Sequence, residues 1–119
     1  MNLDNALHRI ALCPGVEGVV IATADGLVLA AHGRLQGDDA AACAAQLALE
    51  TEASMALVGH GGPGEVMLWT DTHVWYQTRT PSHHTVLAVS ASHAHAGALR
   101  MAVRKELQII QAALNLLDV

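Results

Sequence analysis

Histidine is the residue with which this chain could do chemistry. Eight occur in 119 residues: His8, His32, His60, His73, His83, His84, His93 and His95. Imidazole ligates metals, relays protons and changes charge near neutrality. The spacing argues against a metal centre, because zinc requires three or four convergent ligands. His83-His84, read as strand neighbours, point to opposite faces. His93-x-His95 supplies a pair with no third donor beside it. Cys13 and Cys43 match no CxxC pattern and read as small buried hydrophobes. Ser90 and Ser92 lie close to His93 but sit in no GxSxG elbow. The expectation is therefore no catalytic, cofactor-binding or metal-ligating residue. A pH-sensitive interface is the use that best suits the histidines.

Gly59-His60-Gly61-Gly62-Pro63-Gly64 has the look of a phosphate loop. It lacks the Lys-Ser/Thr of a P-loop and follows a helix instead of opening one, so it reads as a helix stop. Six Lys and Arg stand against 11 Asp and Glu, for a net charge of −5. That balance opposes nucleic-acid binding, which needs clustered cations. Arg100, Arg104 and Lys105 share a predicted helix and read as a solvated face. No apolar run approaches the ~18 residues of a spanning helix, so no membrane insertion is expected. The start of the chain does not resemble a secretory signal, and the cytoplasm is the expected location.

The length suits one domain over residues 1–119. Leu3, Leu7 and Ile10 mark a short helix over residues 2 to 12, with Asn2 or Asp4 as cap and Pro14-Gly15 as stop. Residues 16 to 24 read as a buried β-branched strand, Asp25-Gly26 as a hairpin turn, and Leu27 to Ala31 as the returning strand. A loop from His32 leads to Asp38-Asp39, which cap a helix over residues 39 to 58. Alternation at residues 65 to 71 and 73 to 79 predicts a second hairpin. Its first strand has Val66 and Leu68 on one side and Trp69 on the other. Thr85 to Ala91, apolar at its centre, suits a middle strand. Leu99, Val103, Leu107, Ile110, Leu114 and Leu117 give the last helix, residues 95 to 117, its apolar face.

The order αββαβββα predicts an α/β (α+β) domain with one mostly antiparallel five-stranded sheet and helices on both faces. Aromatic residues are only 3% of the chain and Phe is absent, so the core is thin and association would offset that. The middle helix carries two apolar faces. Ala40, Cys43, Ala44, Leu47 and Val58 can cover the sheet. Ala42, Ala45, Leu49, Ala53 and Ala56 lie roughly opposite, where a solvated helix would carry charge. The second face implies a second burial event against another protein surface. The strand at residues 65 to 71 could lie at an edge open to pairing, which adds Val66, Leu68 and Trp69 as interface candidates. Tryptophan at such a place suits either core or interface.

The segment Pro-Gly-Val-Glu-Gly-Val-Val-Ile-Ala-Thr-Ala-Asp-Gly-Leu-Val-Leu-Ala at 14 to 30, between a short helix and an Ala-rich one, resembles the roadblock (dynein light chain) family. The later strands and last helix follow the same order. The resemblance implies a dimer with middle helices packed together and third strands paired into one continuous sheet. It also implies a non-catalytic adaptor or regulator of a small Ras-like GTPase, in bacterial signalling or polarity. Such a partner reshapes the GTPase without an arginine finger. A structural scaffold subunit with no GTPase is the alternative, and a small-ligand sensor a third. The family supplies no residue motif beyond these interface elements.

Overall fold

The computed structural model describes residues 3–35, 37–61 and 64–117. The elements are α1 (Leu3–Ala11), β1 (Val16–Ala22), β2 (Val28–Gly33), α2 (Gly37–Leu57), β3 (Glu65–Trp69), β4 (Val74–Arg79), β5 (Thr85–Ser90) and α3 (Ala96–Leu117), with a short 3-10 turn at His93–His95 before α3. The sheet order is β2-β1-β5-β4-β3, antiparallel throughout. β5 holds the centre with all six of its residues buried, as an apolar strand covered on both faces must be. This is an α+β fold of one five-stranded antiparallel sheet with helices on both faces.

Strand alternation divides the core in two. On one face Val19, Ile21, Val74, Tyr76, Val86 and Ala88 pack against Leu7 and Ile10 of α1 and Leu99, Val103, Ile110 and Leu114 of α3. On the other, Val20, Ala22, Leu87 and Val89 meet only Ala40, Ala41 and Ala44 of α2. Across the first face Arg9 of α1 grips Glu106 of α3, with Nη2 at 2.7 Å and Nε donating at 2.9 Å to the same oxygen. Glu106 is buried, and this pairing is what makes its charge tolerable there.

Several sequence expectations are corrected. β2 runs on to Gly33, so His32 and Gly33 are strand residues and not the start of a loop. Gly33 sits at φ +101°, and a Cβ there would strike the Glu17 carbonyl, so the strand ends at a position only glycine can occupy. α2 begins at Gly37, ahead of the Asp38-Asp39 pair. Val58 lies beyond its end and is exposed. Cys43 is also exposed, and Ala41 takes the buried place expected for it. On α3, Leu117 is exposed while Ala96 and Ala113 are buried. His83 and His84 belong to the turn between β4 and β5, with His83 at φ 64°, so strand alternation does not govern them. Asn2, one of the suggested caps, lies outside the described residues.

Candidate partner interface

α2 is long and holds little. Of its 21 residues, Ala40, Ala41 and Ala44 are buried, all in its first half. Alanine favours helix and lets the backbone approach the strands closely. Gly26 of the first hairpin lies in contact with Ala41, Ala42 and Ala45, and its φ of +92° is a backbone conformation that favours glycine. Polar contacts do the rest. The Gln77 side chain, buried on β4, donates to the Ala44 carbonyl at 3.1 Å and accepts from the Trp75 indole at 2.7 Å. Further along, Arg79 meets Glu52 at 3.1 Å. Between those contacts a cavity of about 20 Å³ separates Ala48 and Thr51 from Val66 and Gln77.

The outward stripe is as apolar as the sequence suggested. Ala42, Leu49, Ala53 and Ala56 are exposed and Ala45 is half-buried beside the hairpin. Leu49 is 64% exposed, and Leu57, which the helical pattern did not single out, is 88% exposed. Gln46 and Glu50 bond to each other along the flank at 2.9 Å.

β3 pairs with β4 on one side, and among the described residues no strand pairs with its other side. Register places Val66 opposite Gln77 and Leu68 opposite Trp75, on the α2 face. Trp69, 59% exposed, stands opposite Val74 on the α1–α3 face. The structure therefore groups Val66 and Leu68 with the α2 stripe, while Trp69 shares the edge but faces the other way. Trp75 is half-buried against the α2 core.

The edge strand is anchored from the other face. Arg100 of α3 forks onto Glu65, its Nε donating to Oε1 at 2.6 Å and Nη2 to Oε2 at 2.8 Å. The Tyr76 hydroxyl donates to Oε1 at 2.9 Å, and Arg104 stands 3.7 Å from Oε2. The Arg100 hydrogen bonds hold the Glu65 carboxyl down at about 2, with Tyr76 and Arg104 adding to the effect against some desolvation. Burial, then the bond to Glu65, raises the Tyr76 phenol. Arg100 thus anchors the edge strand from a helix face that is solvent-exposed as expected, with Arg104 beside it. Nothing near them in sequence signals Glu65, 35 residues away from Arg100.

The histidines are dispersed. His73 Nε2 is 3.0 Å from Glu17, and the His8 and His32 rings meet edge-to-face with centroids 5.4 Å apart. Among the described residues no three His, Cys, Asp or Glu converge as a metal site would require. Burial pushes the half-buried Cys13 thiol up, which keeps it protonated. Among the described residues no helix is long and apolar enough to cross a membrane.

The sheet has two edges unpaired among the described residues, β2 and β3, and one of its covering helices leaves an alanine stripe exposed. The chain belongs to the Roadblock/LC7 domain family, whose description matches residues 3–91. Solved structures share the fold. A structure described as MglB with tetrameric arrangement is 19% identical, with a TM-score of 0.75 over 92% of this chain and 88% of that one. The Roadblock/LC7 domain from Streptomyces avermitilis is 21% identical, with a TM-score of 0.73 over 89% of this chain and 95% of that one. Myxococcus xanthus MglB is 13% identical, with a TM-score of 0.74 over 92% and 87%. Comparison with curated proteins gives no match.

Proposed function

We propose that this chain is a non-catalytic dimeric adaptor that binds and regulates a small Ras-like GTPase in the bacterial cytoplasm, acting as one domain over residues 1–119. The observation that supports the reading is an exposed apolar α2 stripe together with a β3 edge that no strand pairs among the described residues. Two copies related by a two-fold axis would set the stripes against each other and join the edges into one sheet. Ala42, Ala45, Leu49, Ala53 and Ala56 form the helix contact. Val66, Leu68 and Trp69 line the strand contact. Family membership supports the GTPase role, and the stripe itself carries no cation to act as a finger. A scaffold subunit without a GTPase is the second reading, since the same surface would serve it.

Light scattering of the wild type and of Ala45→Glu and Ala53→Glu tests the assembly. The expected result is a wild-type dimer that either change converts to monomer, because a carboxylate buried in a helix contact has no partner. A wild-type monomer overturns the homodimer. Nucleotide-dependent binding of the dimer to a Ras-like GTPase then separates regulator from scaffold.

A further inference from the structure

The opposite side of the molecule holds a second surface that dimerisation does not use. Where α1 ends and α3 begins, an open groove of about 930 Å³ runs between the α1–β1 turn and α3. Its apolar surface comes from Leu12 and Met101, each 70% exposed, with half-buried Cys13 beside them. Leu12 and Met101 are large side chains left in water with no fold role.

The rim is cationic on an acidic chain. Arg9, Arg100, Arg104 and Lys105 line the groove, four of the six Lys and Arg in the sequence. Two carboxylates stand against them, Glu106 on Arg9 and Glu65 on Arg100. That leaves a positive surplus at Arg104 and Lys105. Arg104 stands 3.7 Å from Glu65, a carboxylate already forked by Arg100, and bonds the Tyr76 side chain, while Lys105 makes no ion pair among the described residues. A concave apolar strip beside a rim with two more cations than carboxylates is complementary to a helix with apolar residues on one face and carboxylates on its flank.

We propose that this groove docks an acidic amphipathic segment of another protein, its apolar side on Leu12 and Met101 and its carboxylates on Arg104 and Lys105. An anionic membrane fits less well. The surface is a groove, not a plane, and surface attraction to lipid builds from clusters of cations larger than the surplus of two here. The proposal does not need the α2 contact, because α2 lies across the sheet from the groove.

The test is a display library of 16-residue peptides selected on the wild-type protein, followed by fluorescence anisotropy of the enriched peptides. We expect acidic sequences with apolar residues at helical spacing. Binding should weaken by about tenfold or more with Met101→Glu and by a smaller factor with Lys105→Glu, and should persist in Ala53→Glu. Both groove positions are exposed, and circular dichroism of each variant checks that it folds. Enrichment of basic peptides or of none overturns the proposal. So does equal binding to wild type and both groove variants. Cosedimentation with phosphatidylserine vesicles in place of peptide binding would assign the groove to membrane instead. A change in oligomeric state with Met101→Glu would assign it to a second copy.

Discussion

The two faces of the sheet are covered in different ways. On one, α1 and α3 set Leu7, Ile10, Leu99, Val103, Ile110 and Leu114 into the strands, and each side chain is fully or almost fully buried. On the other, α2 is held by three of its alanines, a glutamine clamp from β4 and one surface ion pair. The first face is a finished core. The second is a contact of alanine side chains on a few strand residues, beneath a helix whose outer side is apolar as well. A helix that buries this little on its own sheet leaves an outer apolar side uncovered, and that side is the one the proposed dimer would use.

Truncation gives the largest test of that contrast. Leu99→Ala should cost about 2–5 kcal/mol in urea unfolding, as a lost core side chain does. Leu49→Ala, measured in the monomeric Ala53→Glu background, should stay within about 0.5 kcal/mol. Equal losses at the two positions would break the distinction between the faces. Next in size is Gln77→Ala, which leaves the Trp75 indole without its partner and frees the Ala44 carbonyl from the sheet. A loss of about 1–2 kcal/mol is expected. Amide exchange should rise in α2 and not in α3; uniform acceleration would show that the clamp serves the whole fold instead.

The smallest effect concerns acid. The Glu65 carboxyl is held at about 2 against an ordinary value of 4.5. A carboxyl depressed in the folded state adds stability that is fully present above the ordinary value and lost as pH falls through the folded one. Loosening of β3 is therefore expected between about pH 4.5 and 2, read by exchange at Val66 and Leu68. Glu65→Gln should flatten that dependence and lower Tm less than Gln77→Ala does. A variant that keeps the full acid slope would move its origin away from Glu65.

What was legible in the sequence follows from how local each signal is. β5 read as central because its run is apolar on both sides. The hairpins read from Asp25-Gly26 and from alternation. The α1–α3 face read well because Leu, Ile and Val mark it against Arg and Gln. α2 was harder, since alanine on every side gives its faces nearly equal weight, and Ala41 and Cys43 exchanged roles accordingly. β2 is an edge strand with exposed residues, so its end at His32-Gly33 resembled a loop. The uncovered stripe was visible because an outer face without charge is unusual. The Arg100–Glu65 fork and the groove were not, because each joins residues far apart in the chain that only the folded sheet brings together.

Arg100 belongs to both surfaces on the α1–α3 side. It lines the groove, and its guanidinium is already occupied by the carboxylate that anchors the edge strand. A second carboxylate arriving in the groove would compete for the same fork. Occupancy of the groove and attachment of β3 would then be linked quantities. Whatever free energy a ligand draws from that cation is withdrawn from the edge, and a partner that locks the edge would weaken the ligand by the same factor. One shared side chain would couple the proposed groove to the sheet edge on the same face.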